Sequence, residues 1–241
     1  MPSASDAIAE HEPGDLTCIV GARMRLNALQ EALARHGQRL SLDPPGDPTL
    51  EECVLDDLSG PLRHRFGRMR DLVIGITVTL PDATRASAGG KVVKNVAGYD
   101  LGKLFCGSRG RLGRVEQLAL RLHPLPAATR SVTVDAGRWP ELHRSGLAPS
   151  AVDVAGGLMH VLFEGSRRSV DAQALEVGGD DSDPWDDLRA LQARLPSRRR
   201  WDGGPAPLLR PGPRVAYVEE DVPAVWSPLA DRVAEALCSP S

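Results

Sequence analysis

KVVKNVAGYDLGKLFCGSRGRLG, Lys91 to Gly113, sets Gly107, Gly110 and Gly113 three residues apart, just ahead of the apolar run Leu112 to Leu122. Glycine lets a backbone turn tightly and brings N–H groups close to a ligand's phosphates. The order differs from the G-x-G-x-x-G fingerprint, which follows a strand and opens a helix. Here a short helix, Tyr99 to Phe105, comes before the glycines and a strand comes after them. Spacing alone therefore favours a tight helix-to-strand connection over a phosphate loop.

Working outward, Leu118, Leu120 and Leu122 share one face of the strand after the loop, which stops at His123-Pro-Leu-Pro126. Upstream, DLVIGITVTL (Asp71 to Leu80) alternates, with Leu72, Ile74, Ile76, Val78 and Leu80 on one face. PDAT turns the chain into a return strand, Arg85 to Ala88. Leu16 to Val20 reads as a strand, and Leu26, Leu29 and Leu33 as the stripe of a helix that Gly37 ends. Leu40 to Leu42 is a short extended piece leading into the proline-stiffened loop DPPGDP. Beyond Pro126 we expect strands at Ser131 to Val134, Ala151 to Val154, Leu158 to Phe163 and Val215 to Val218. Helices are expected at Val170 to Val177, Trp185 to Leu195 and Leu229 to Leu237, with the joint GGDDSD between the first two. The domain boundary falls near Pro124–Ala128.

The 241 residues allow one large or two small domains, and 41% hydrophobic residues support a packed core. With 24 glycines, 20 prolines and only 4% aromatics, the texture is loop-rich. A net charge of −3 argues against a nucleic-acid partner, and the basic run Ser197 to Arg200 reads as a solvated turn. Cys18, Cys53, Cys106 and Cys238 form no C-x-x-C pair, so no metal or iron–sulfur ligand set arises from local spacing. MPSASDAIAEHEPGD is not a signal peptide, and no apolar run reaches the roughly 20 residues that span a bilayer. A soluble, cytoplasmic protein is expected.

VVKNVAGYDLGKLFCGSRGRLG with its RLHPLP-terminated strand resembles the FAD-binding subunit of glycolate oxidase, a flavoprotein of the para-cresol methylhydroxylase/vanillyl-alcohol oxidase type. The resemblance extends through SGPLRHRFGRMRDLVIGITVTLPDAT and, more loosely, through Pro13 to Leu50 and Ser150 to Leu175. It implies an α+β fold: a partial FAD-binding domain of the para-cresol methylhydroxylase (PCMH) type over residues 13–126, after a flexible stretch at 1–12. A smaller α/β C-terminal domain would follow over 127–241. FAD would lie in a cleft, with Pro45, Ser59 and Gly60 on one wall and Gly107, Ser108, Gly110, Gly113 and Val115 on the other. Asn95, Gly98 and Tyr99 would shape the loop. The implied partners are a homologous catalytic flavoprotein subunit and an iron–sulfur subunit, with electrons passed within the complex.

Departures from the family pattern carry equal weight. By the resemblance, this sequence is expected to begin after the segment whose glycine-rich loop cradles the diphosphate in the family. Glu51 and Glu52 stand where the family has a Gly-Gly pair, blocking close backbone approach and adding like charge; Arg111 replaces a usual threonine. Each charge pair at 4 Å costs about 1 kcal/mol in water and about 4 at an effective dielectric of 20. FAD is therefore expected to bind weakly or not at all to the isolated chain. The alternative to a flavin subunit is a flavin-free structural or degenerate subunit that keeps the fold. His64 reads as a surface or loop histidine and His123 as a structural cap. Asp56 and Asp57, adjacent, would face opposite ways on a strand and so form no acid/base pair. No catalytic residue and no metal site is assigned.

Overall fold

The computed structural model describes residues 6–90 and 101–220. Asn95, Gly98, Tyr99 and the helix expected at Leu229 to Leu237 lie outside them. Among the described residues the first sheet has five antiparallel strands in the order β1-β2-β6-β4-β5: β1 (Ile8–Glu12), β2 (Thr17–Gly21), β4 (Val73–Thr79), β5 (Arg85–Gly89) and β6 (Arg114–Arg121). The segment set apart as a flexible lead-in thus supplies an edge strand. Its Glu10, His11 and Glu12 hide it from a search for apolar runs, and charge is what a sheet edge tolerates.

Helices cover one face of this sheet: α1 (Leu26–Ala34), α2 (Leu50–Leu55), α4 (Met69–Leu72) and α5 (Leu101–Phe105). Leu26, Leu29 and Leu33 of α1 meet Leu50, Cys53 and Val54 of α2 in one core with Cys18, Val20, Ile76, Val78, Leu118 and Leu120. A two-strand ladder, β3 (Gln38–Arg39) with β7 (His123–Pro124), and a single helical turn, α3 (Arg63–Phe66), complete this part.

β4 and β6 pair directly, and two irregularities shift their faces. Val73 lies opposite Leu120 and Gly75 opposite Ala119, so Ile74 is an extra residue on β4. Such a bulge reverses the alternation, and Val73, not Ile74, packs against the core. The second irregularity places Val78 opposite Val115 and Thr77 opposite Gln117, which leaves Glu116 as the extra residue of β6.

Thr49 to Cys53, where the resemblance places a Gly-Gly pair against the cofactor, instead starts α2. Thr49 is the N-cap: its Oγ1 accepts the Glu52 N–H at 3.2 Å, while Glu52 Oε2 accepts the Thr49 N–H at 2.6 Å. This reciprocal T-x-x-E box is a helix-start signature. Asp56 and Asp57 follow in the turn after α2, not on a strand.

The second sheet orders its described strands β11-β8-β10-β9-β13-β14-β12, all antiparallel. They are β8 (Ala128–Asp135), β9 (Ala151–Ala155), β10 (Leu158–Gly165), β11 (Asp180–Asp181), β12 (Ser197–Arg200), β13 (Leu208–Arg210) and β14 (Val215–Val218). α6 (Trp139–Arg144) and α7 (Arg167–Val177) pack on one face through Leu142, Val170, Ala174 and Val177 against Met159, Val161 and Phe163. α8 (Trp185–Arg194) covers part of the other face through Trp185 and Leu188 against Ala151, Leu208 and Tyr217. The basic run read as a solvated turn is strand β12, paired to β14.

Candidate functional site

The candidate residues fall into two groups. Gly107 to Val115 runs beside α2, and the backbone donors of Gly107, Ser108, Arg109, Arg111, Gly113 and Val115 are committed inside the chain. The N–H of Gly107 donates to Val54 O at 2.9 Å and that of Arg109 to Leu55 O at 2.9 Å. The N–H of Arg111 and Gly113 close turns onto Ser108 O and Gly110 O. Val115 N–H donates to Glu51 Oε1 at 3.0 Å. Gly113, at φ +123, would bring a Cβ to 2.2 Å from Thr79 O, so its bare backbone serves contact with β4. The Ser108 hydroxyl is fully buried and has no hydrogen-bond partner among the described residues.

Ser59 and Gly60 lie instead against Gln192 of α8 and against Asp43. A Cβ on Gly60 would stand 1.8 Å from Asp43 O, which makes this a site of obligatory close approach. Gln192 Nε2 donates to Ser59 O at 2.9 Å, and Arg63 Nη1 to Ser59 Oγ at 3.3 Å. Pro45 lines an open cleft of about 530 Å³ bounded by α1, the proline loop and the Asp186–Ala193 face of α8.

The boundary between the two parts is built from charged side chains. Asp153, Arg210 and Tyr217 occupy one face of the second sheet, directed at the first part. Arg210 and Asp153 are both fully buried; Arg210 Nη2 also donates to Gln192 Oε1 at 2.7 Å, and Nη1 donates to Tyr217 OH. Asp43 Oδ1 accepts the Leu62 N–H at 3.0 Å, and Arg189 lies 3.5 Å from Oδ2. Burial pushes the Asp43 carboxyl up to about 7, against the attraction of Arg210 and Arg189. Arg39 holds Glu164 with two hydrogen bonds of 2.7 and 2.6 Å. Arg198 donates to Asp57 O at 2.9 Å and Asp56 O at 3.1 Å. Asp57, buried beside Arg68 at 2.6 Å, has its carboxyl raised because desolvation outweighs Arg68 and Arg198.

Sequence reading missed Asp43, Asp153, Arg189, Gln192 and Arg210 because nothing local marks them; Arg210 meets Asp153 across 57 residues and Gln192 meets Ser59 across 133. His64 sits on α3, half-buried and edge-on to Trp139, with burial lowering its pKa. His123 packs on Phe66 at 4.7 Å. Burial pushes the Cys18 thiol up to about 12 and raises that of Cys53 as well. Among the described residues, no group of three His, Cys, Asp or Glu is placed to hold a metal.

The fold is the PCMH-type FAD-binding fold. Two solved structures of alkyldihydroxyacetonephosphate synthase share it, with TM-scores of 0.60 and 0.62 over 72% and 79% of this chain, at 16% and 15% identity. They are covered over 39% and 46% of their own lengths. Within that class the chain is a homologue of the glycolate oxidase subunits and D-lactate dehydrogenases. It is 30% identical over 196 residues to glycolate oxidase subunit GlcE of Escherichia coli, a match covering 77% of this chain and 56% of that subunit. It is 42% identical over 79 residues to glycolate oxidase subunit GlcD of Bacillus subtilis, covering 32% of this chain and 17% of that one. To the mitochondrial D-lactate dehydrogenase [cytochrome] 1 of Saccharomyces cerevisiae it is 33% identical over 114 residues, covering 47% and 19%. The chain spans about half the length of the GlcE subunit and much less of the others. No family model matches it.

Most of the glycine loop's described backbone donors do not fit the FAD that the fold implies. A diphosphate needs backbone donors aimed outward, whereas those of Gly107, Arg109 and Val115 point at Val54, Leu55 and Glu51. Internal hydrogen bonds occupy these three donors.

Proposed function

We propose that this chain is a subunit of a glycolate-oxidase-like 2-hydroxy-acid dehydrogenase complex. There it meets a homologous catalytic flavoprotein subunit and an iron–sulfur subunit in the cytoplasm, and electrons pass within the assembly. Residues 13–126 act as its FAD-type unit, and 127–241 as a smaller unit clamped to it. The observation that carries this reading is the 196-residue likeness to a glycolate oxidase subunit. That length exceeds either half of the chain, so the likeness takes in both. Among the described residues no helix is long and apolar enough to cross a membrane.

A second form of the role, a flavin-free subunit that keeps the fold and the subunit contacts but not redox chemistry, is favoured by one observation. Backbone donors of Gly107, Ser108, Gly113 and Val115, expected to face FAD, already bond within the chain. In that form the chain's own residues position and support, and the redox chemistry belongs to the partner flavoprotein.

Deleting the gene and assaying glycolate- and D-lactate-dependent dye reduction in cell extract tests the subunit role. Activity is expected to fall and to return with the wild-type chain. Unchanged activity with both acids would overturn it.

A further inference from the structure

We infer that the Glu51 carboxylate is the resident anion of the glycine loop, so that this wall admits a nucleotide diphosphate only once that side chain is removed. The inference deepens the flavin-free reading and rests on it.

Glu51 and Glu52 are neighbours with different tasks. Glu52 turns back to Thr49 and closes the capping box; its pKa is lowered by the Thr49 N–H and hydroxyl. Glu51 reaches 64 positions along the chain to the start of β6, where Oε1 accepts the Val115 N–H at 3.0 Å. Its own backbone is fixed, since Glu51 N–H donates to Ala22 O at 2.7 Å and Leu50 N–H to Met24 O at 3.0 Å. A carboxylate accepting a backbone N–H forms a charge-assisted bond, the same kind a phosphate oxygen would form there. An incoming phosphate must displace that bond and then sit beside a like charge.

The glycines agree with this account. Gly107 (φ +84) and Gly110 (φ +76) have their nearest would-be Cβ neighbours at 3.7 Å, on Asp57, and at 4.0 Å, on Leu55. Backbone conformation explains these residues without a ligand. Arg109 on the loop and Arg114 at the start of β6 are exposed, so this wall still presents positive charge to an approaching anion.

The test uses the full chain as wild type, E51G, E51Q and E52Q, with pyrophosphate, ADP and FAD as probes. Binding is read by calorimetry and by the shift in melting temperature, and folding by circular dichroism. Wild type and E52Q are expected to show no shift with millimolar pyrophosphate or ADP. E51G is expected to gain about tenfold or more in affinity for both, through removal of one close like-charge contact. E51Q keeps an acceptor for Val115 N–H, and so stays folded even where E51G does not. Its expected gain is smaller but measurable. Wild type binding either anion as tightly as folded E51Q or E51G would overturn the inference, as would a folded E51Q that gains nothing. FAD retained by wild type together with a gain in the Glu51 variants would overturn the flavin-free reading alone. FAD retained with no gain would overturn both.

Discussion

Arg210 and Asp153 face each other across β13 and β9 with both side chains fully buried, Nε 3.0 Å from Oδ1. Removing one member strands the other charge away from water, at about 3–5 kcal/mol, whereas replacing both by apolar groups of similar size costs far less. Urea unfolding is therefore expected to show R210M losing several kcal/mol and R210M/D153L recovering a large part of it. Equal losses in the single and double variants would show that the pair's geometry, not its charge balance, supports the sheet.

The capping box supplies a cleaner, smaller effect. Thr49→Ala removes the acceptor for Glu52 N–H and is expected to cost about 1 kcal/mol. E52Q is expected to cost less, since its amide oxygen can still accept from Thr49 N–H. Chemical denaturation of the two variants checks the order.

Asp43 ties stability to pH. Its carboxyl is raised by burial from 3.8 to about 7, so the folded state binds its proton more tightly than the unfolded chain does. That contribution is whole below about pH 4 and is lost as pH rises through 7. A shift of this size is worth at most about 4 kcal/mol at 1.36 per unit. Asn at position 43 imitates the neutral acid. Relative to wild type, D43N is expected to be more favourable at pH 8 than at pH 5, and unfolding curves at both pH values measure the difference. No change between them would mean that Asp43 stays ionised beside Arg189 and Arg210.

The loop glycines are expected to separate by their surroundings. Gly113→Ala drives a Cβ to 2.2 Å from Thr79 O at φ +123 and is expected to cost more than about 3 kcal/mol. Gly110→Ala, at φ +76 with its nearest neighbour at 4.0 Å, is expected to cost about 1–2 kcal/mol. Thermal unfolding of both alanine variants tests the ranking.

The strands flanking the glycine loop were legible because period-two alternation survives in them: Leu118, Leu120 and Leu122 are buried as read. At Ile74 the alternation fails because a bulge is a property of the pairing and leaves no mark in the strand's own sequence. α2 carried a visible T-x-x-E signature, yet the glycine pair expected there by family resemblance drew the reading toward a loop. β1 was hidden by charge that suits an edge strand. Of the candidate site, Gly113 was legible as a place where backbone must come close, although what it approaches is Thr79; Gly60, assigned to a cofactor wall by resemblance, comes close to Asp43. That Glu51 serves Val115, and Gln192 serves Ser59, follows only from chain segments 64 and 133 residues apart meeting in space.

Affinity capture of the full-length chain from its own cells under native conditions, with the recovered subunits identified and counted, tests the subunit role most directly. The account expects a homologous flavoprotein chain and an iron–sulfur protein to be recovered in fixed proportion to the bait. A bait recovered alone as a clean monomer, at salt low enough to preserve ionic contacts, would contradict it.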